Sequence, residues 1–373
     1  MRILAIIEKE IIHILRDIRM LYFSLIWPVF LLLLFGYTVS LDVKNIKILF
    51  RDFDQTSESR GLAEMIENTE SFDLVRDELF AWETSARLLD QGIARGIVII
   101  PKGFSKKLMR DENAKFQILI DGSDNNTARA MLGSMLGATQ SYHEAIIKEE
   151  LNRLGINSES PIDYHMYFFY NPSLRSQNFI IPGLIAIIMM IIGTLVTSLT
   201  IAREWDRGTM EQLLYTPVKS YELILGKLTP YFGIGLIQVT LVLLTGVIIF
   251  GVPFKGNILL YYLASALFLL GALGLGLFIS LVSRNQQVAM IAAFLSSMLP
   301  AFILSGFIFP IRSMPIILRI VSDVVPAKYF LYIIRGVFLK GAGLNFLWPD
   351  FLAMLIFASV FLLISVTMFK KRL

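Results

Sequence analysis

The sequence predicts an α-helical polytopic membrane protein with six transmembrane helices and an extracytoplasmic α/β domain inserted between spans 1 and 2. Three observations carry this: six long uncharged runs, a polar insert of opposite net charge, and a 55% hydrophobic composition with mean hydropathy +0.65. The runs lie between Arg19 and Asp42, Arg175 and Arg203, Lys227 and Lys255, Lys255 and Arg284, Arg284 and Arg312, and Asp350 and Lys370. Each is 19 to 28 residues long. A helix needs about 20 apolar residues to cross a hydrocarbon core about 30 Å thick, and only helices or closed barrels satisfy their backbone there. Soluble helical cores seldom carry uncharged runs of this length.

Residues 1–20 read as an amphipathic helix. Leu4, Ile7, Ile11, Ile14, Leu15 and Ile18 share one stripe, and Lys9, Glu10, His13 and Asp17 fall off it. The first span, 21–41, reads as an uncleaved anchor. Glu8, Glu10 and Asp17 precede it, and Thr38-Val39-Ser40 is no small-x-small cleavage site. The chain has no cysteine, hence no disulfide and no thiolate metal site.

Residues 42–175 carry 16 Lys and Arg against 21 Asp and Glu, a net −5; the rest of the chain, 18 against 9, is net +9. Strand character at 46–53, 96–100 and 115–120 alternates with helical character at 57–68 and 83–91, and one long helix follows at 124–154. That alternation predicts a small α/β domain around one sheet, large enough for its own core. A strand-like Tyr167–Tyr170 leads back to the membrane.

Residues 176–373 form the membrane domain, with spans at about 178–201, 228–250, 258–282, 286–308 and 350–369. Between the second and third lies a dense run of both charge signs, 203–217. Such a run is a water-exposed device at the membrane surface, suited to passing force from a soluble partner into the helices. Within it Glu204, Arg207 and Glu211 recur at helical spacing, so a continuous helix would present them on one face. Residues 312–345 mix apolar helical spacing with Pro315 and Pro326, predicting interfacial or re-entrant helices on the outer side. Arg2, Lys9, Arg16 and Arg19, the Lys370-Lys371-Arg372 end and the basic residues of 203–227 place both termini in the cytoplasm. Five basic residues at 312–340 run against that count, and the even number of spans outweighs them.

Catalytic motifs are missing. His143-Glu144 lacks the second histidine of a zinc-protease helix, and Asp121-Gly122-Ser123-Asp124 misplaces the glycine of a calcium loop. Gly226-Lys227 has no partner glycine and no following Ser or Thr, so no phosphate loop exists. No metal site is expected, and nothing points to nucleic acid. The uncharged runs hold no histidine, against proton-coupled transport. Their polar and sulfur groups, Met189, Met190, Thr194, Thr197, Gln238, Ser296 and Ser297, are a candidate path for a broad apolar or amphipathic cargo; helix packing explains them equally well. Gly271, Gly274 and Gly276 suit close helix contact, within one chain or between two.

The stretches Tyr170–Gly183, Ala202–Val218, Gly274–Ser280 and Ser305–Pro310 together resemble ABC-2 type export permeases, in their drug-efflux branch. The resemblance covers essentially the whole chain. It implies a six-helix permease subunit without its own ATPase site, paired with a second such subunit as homodimer or heterodimer. It also implies two copies of an ABC ATPase beneath, which bind ATP and Mg. Arg203, Glu204, Trp205, Asp206, Arg207, Gly208, Thr209, Met210, Glu211, Gln212, Leu213, Leu214 and Pro217 would form the ATPase-coupling helix. Lys9, Glu10, His13 and Arg16 would lie on a connecting helix along the inner surface. The expected setting is the inner membrane, in contact with lipid, with a periplasmic adaptor as a further partner of the outer domain. A receptor with an extracytoplasmic ligand-binding domain is the alternative; it explains the insert but not six spans and the 203–217 element.

Overall fold

The structure is a computed structural model that describes residues 2–38, 45–69, 71–76, 82–110, 112–153, 169–172, 175–215 and 218–369. The chain divides into two compact units, residues 1–40 with 168–373, and residues 41–167.

In the larger unit, six helices are long and apolar enough to cross a membrane: Ile18–Thr38, Gln177–Asp206, Ser220–Ile249, Ile258–Ser283, Gln286–Ile303 and Leu344–Met368. They are called the first to sixth spans below. Several bounds differ from the charge-run estimate. The third begins at Ser220 rather than 228, because the Glu222 carboxylate accepts from the Lys219 backbone N–H at 2.8 Å and starts the helix early. Lys227 therefore lies inside the helix. The fifth ends at Ile303 rather than 308, and the chain then turns at Gly306, whose φ is +84°. The sixth begins at Leu344 rather than 350.

The second span is the hub. Its most apolar window is 89% buried, against 17, 39, 61, 22 and 22% for the others in chain order. It packs on the first, third, fourth and fifth spans. Its tightest crossing is with the fourth, where a Cβ on Gly276 would lie 2.1 Å from Thr197 Oγ1 and 2.3 Å from the Thr194 carbonyl oxygen. Gly271 and Gly274 face Phe357 and Phe361 of the sixth span. All three glycines thus serve contacts inside one subunit. After the fifth span come two helices, Ile316–Ser322 and Pro326–Arg335. The second is wedged into the bundle, with Phe330 stacked on Phe268 at 4.2 Å.

The smaller unit is built on four strands: β1 (Ile46–Asp52), β2 (Phe72–Arg76), β3 (Gly96–Ile100) and β4 (Gln117–Ile120). Their order is β2-β1-β3-β4, parallel except for the β3–β4 pair. Ile46, Ile48, Phe50, Val98 and Ile100 form its main core with Leu62 and Ile66 of the helix Ser57–Glu67 and with Met131 and Met135 of the helix Asn125–Arg153. Leu49, Ala94 and Ile97 form a second cluster. Strand β2 and a short helix, Phe104–Met109, are elements that the sequence reading omits. Phe169 and Tyr170 form a bend rather than a strand, while Tyr167 lies outside the described residues.

Candidate functional site

At one end of the bundle the N-terminal helix Arg2–Arg16 packs on the third span and pairs polar side chains with the end of the second. The face it turns to the spans mixes apolar and charged side chains. Glu10 and Ile14 are buried, whereas Leu4, Ile11, Leu15 and Ile18 are 67, 42, 62 and 76% exposed. The reason is a set of cations on the spans that the helix carboxylates satisfy. Lys227 Nζ donates to Glu10 Oε1 at 2.8 Å and to Glu204 Oε1 at 3.2 Å. Lys9, largely exposed, reaches Glu204 from outside at 3.2 Å. Arg203 Nη1 donates to His13 Nε2 at 2.8 Å and lies 3.6 Å from Asp17. Because arginine only donates, that imidazole nitrogen carries no proton. Arg16 is exposed.

Lys9, Glu10, His13, Arg203, Glu204 and Lys227 line a cavity of about 200 Å³ with Thr200, Thr209 and Tyr231. A buried charge is tolerated only when paired and hydrogen-bonded, and removing one member of such a pair costs about 3–5 kcal/mol. The cluster therefore ties the N-terminal helix, the end of the second span and the base of the third into one electrostatic unit. The close seat of Ile6 against Gly226, where an added Cβ would meet the Ile6 side chain at 2.7 Å, holds the same joint by packing.

The 203–217 element is not one helix, and this corrects the sequence reading. The second span runs on through Asp206, the backbone breaks at Arg207–Thr209, and a short helix follows at Met210–Tyr215. The break rests on Gly208, whose φ of +68° is left-handed and favours glycine. Glu204 bonds across the break: the Thr209 hydroxyl donates to its carboxylate, and the Thr209 N–H to its carbonyl at 3.0 Å. Glu204 and Glu211 thus belong to different helices, and Glu204 turns inward with only 15% of its side chain exposed.

Trp205 packs against its own bundle, with the Arg284 guanidinium 5.1 Å above its ring. The Asp206 carboxylate accepts from the Gln286 backbone N–H at 3.1 Å and its side-chain amide at 3.0 Å, binding the start of the fifth span. Met210 is buried. Arg207, Gly208 and Glu211 are exposed, and Tyr215 is 79% exposed. The side chains of Gln212, Leu213 and Leu214, and Pro217 as a whole, lie outside the described residues.

Lys227, Thr200 and Tyr231 are members of the cluster that the sequence reading did not name as site residues. Lys227 was legible only as the edge of an uncharged run. The signal for it was Glu222 three residues after Lys219, a helix start that puts Lys227 two turns inside.

The candidate cargo path does not open within this subunit. Met189, Met190, Thr194, Thr197 and Ser297 are buried, and the three hydroxyls bond to the Ala272, Leu273 and Ala293 carbonyls at 3.3, 3.1 and 2.6 Å. Gln238 is buried beside a void of about 10 Å³, and Ser296 is exposed on the fifth span. Helix packing accounts for the buried hydroxyls. Among the described residues no group of three or more His, Asp or Glu is gathered as for a metal ion.

The pattern of the ABC-2 family transporter proteins matches residues 18–367. The chain is 37% identical over 349 residues to the probable multidrug ABC transporter permease YbhS of Escherichia coli (strain K12), covering 91% of this chain and 89% of that one. It is 30% identical over 373 residues to the probable multidrug ABC transporter permease YbhR of the same organism, covering 100 and 99%. To the inner membrane transport permease YhhJ of that organism it is 26% identical over 296 residues, covering 76 and 75%. With six membrane-length helices and this match, the chain belongs to the ABC-2 family of transporter proteins, as a multi-pass permease of an ABC exporter that partners an ABC ATPase rather than being one.

Proposed function

We propose that the chain is one half of a dimeric exporter that moves apolar or amphipathic compounds outward across the inner membrane. Two copies of the ATPase bind ATP and Mg and push from the cytoplasmic side. The exposed part of the 203–215 element, Arg207, Gly208, Glu211 and Tyr215, receives the ATPase. Glu204 does not touch the partner; it passes the displacement through Lys227 and Glu10 to the third span and the N-terminal helix.

The observation that carries this reading is the Lys227 bridge between Glu10 and Glu204, directly behind the exposed break at Gly208. With the partner docked near that break, as proposed, the bridge is a buried, charge-paired route from it into the bundle. The packed interior of the single subunit supports a cargo route between two copies. The 41–167 unit, on this orientation, lies outside the cytoplasm, where a periplasmic adaptor would meet it.

The test is co-reconstitution with the cognate ATPase in liposomes, following cargo-stimulated ATP hydrolysis. Arg207→Glu and Glu211→Lys should weaken ATPase capture while the chain stays folded. Stimulated hydrolysis at the wild-type rate in both would refute the docking assignment, and saturable ATP binding by the ATPase-free chain would refute the division of labour.

A further inference from the structure

At the opposite end of the bundle, a second charged site stands apart from the coupling cluster. A cavity of about 650 Å³ opens between the turn after the fifth span, the helix Pro326–Arg335 and the start of the sixth span. Arg335 forms part of its wall. The guanidinium lies 3.6 Å from the centre of the Phe179 ring, and Nη1 reaches the Gly306 carbonyl only at 3.5 Å. Nε and Nη2 are closed off from solvent and have no hydrogen-bond partner among the described residues. An aromatic face offsets part of the cost of such a charge but supplies no acceptor for two buried donors.

A carboxylate is present in the same cavity, yet it does not fill that role. Asp350 lines the wall and forms no ion pair or hydrogen bond with Arg335 or any other described residue. Lys328, also in the wall, is taken by Asp323. Arg312 stands exposed at the rim without an ion pair among the described residues. One cavity thus holds a buried arginine with two unpaired donors, an exposed arginine without an ion pair and, apart from them, a carboxylate without an ion pair or hydrogen bond, among the described residues. Leu331 and Ile311 form apolar wall between these groups. Beside Ile311 runs the helix Ile316–Ser322, whose Ile316, Ile317 and Ile320 are 72, 75 and 63% exposed.

We propose that this cavity binds the zwitterionic head group of a membrane phospholipid, phosphate on Arg335 and Arg312 and ammonium on Asp350, with acyl chain laid on the Ile316–Ser322 helix. A simple anion would fill the arginines but face Asp350 unfavourably; a simple cation would do the reverse. A head group carrying both charges satisfies all three side chains. The exposed apolar helix supplies the surface that an acyl chain needs and a free phosphate does not. This assignment requires only that the chain spans a bilayer, and it stands whether or not the export reading is correct.

The test places the purified full chain in nanodiscs of equimolar phosphatidylethanolamine and phosphatidylglycerol and reads retained lipid by native mass spectrometry. Wild type should retain phosphatidylethanolamine about tenfold over phosphatidylglycerol, the range expected for one or two charge-assisted hydrogen bonds. Arg335→Gln should lose that retained lipid. Arg312→Gln, on an exposed side chain that folding does not require, should lower it at least threefold by the same bonds. Asp350→Asn should keep lipid but erase the preference between the two. Equal retention of both lipids by wild type, undiminished lipid retention in Arg312→Gln, or a preference unchanged in Asp350→Asn, would overturn the assignment. So would displacement of the lipid by millimolar inorganic phosphate, which would identify a free-anion site.

Discussion

Lys227 Nζ lies 2.8 Å from Glu10 Oε1 across 217 residues of sequence, and both side chains are at most 5% exposed. Two ions this well sealed act on stability chiefly through what remains when one is taken away. Lys227→Met would leave Glu10 buried without a counter-ion, a loss of about 3–5 kcal/mol. The variant should melt well below wild type in detergent. Glu10→Leu in the same chain should recover part of that loss, because Glu204 keeps Lys9 at 3.2 Å. If Lys227→Met alone melts with wild type, the pair has no structural weight.

Exposed and inward residues of the 203–215 element should separate in their effects. Arg207→Glu and Glu211→Lys should leave the melting temperature unchanged and weaken ATPase capture, by about 2–5 kcal/mol if each meets a desolvated partner charge. Glu204→Ala should lower the melting temperature as well, because it takes from buried Lys227 one of its two carboxylates. Pull-down yield plotted against melting temperature distinguishes the two groups; a single trend through all three variants would contradict the division.

The crossing of the second and fourth spans tolerates no added carbon at Gly276. Gly276→Ala would place a methyl 2.3 Å from the Thr194 carbonyl oxygen, backbone that cannot swing aside. The expected cost is about 1–3 kcal/mol or more, seen as loss of monodisperse protein on size exclusion. Gly233→Ala, with nothing within 4 Å of the new methyl, is the matched control and should behave as wild type.

What the sequence disclosed, and what it withheld, follows from the range of each interaction. The apolar helices were legible because hydrocarbon imposes one requirement on every residue of a run. Charge location was not. Glu10 reads as a solvated residue on the polar face of its own helix, and only the approach of Lys227 from a distant span makes burial favourable. The same holds for Trp205, whose neighbour Arg284 is remote in sequence. The break at Gly208 had a local signal, a glycine in a charged run, but the three- and four-residue spacing of Glu204, Arg207 and Glu211 argued for continuity. In the smaller unit, β2 was hidden by its length of 5 residues and by the acidic run that follows it.

Acid should loosen the smaller unit through two carboxylates. Burial acts to raise the Asp54 pKa, but N–H bonds from Ser105 at 2.9 Å and Gly103 at 2.6 Å, aided by the Thr56 hydroxyl, outweigh it and hold the group below its ordinary value. Asp121 is held at about 2 by bonds from Ser123 and from Arg95. A depressed carboxylate contributes stability that is complete above its unfolded pKa of about 4 and is lost as pH falls through the folded value. Hydrogen exchange at residues 96–121 of the full chain should therefore accelerate between about pH 4 and pH 2. Asp54→Asn should flatten that slope; an unchanged slope would remove Asp54 from the account.

The burial of the second span has a mechanical consequence. A helix of 30 residues is about 45 Å long, and this one is clasped along nearly all of that length. Side chains held on every side have no lipid into which to yield, so a thrust at Glu204, if the ATPase delivers one there as proposed, would travel down the axis as through a pushrod in a sleeve. Its compliant point is Pro182, where one backbone bond is missing, six residues inside the far end. Three residues from that proline, Phe179 carries the guanidinium of Arg335 on its ring. On the proposed coupling, motion that enters at the charged joint would be delivered, by the stiffness of one rod and the softness of one peptide, to the mouth of the Arg335 cavity.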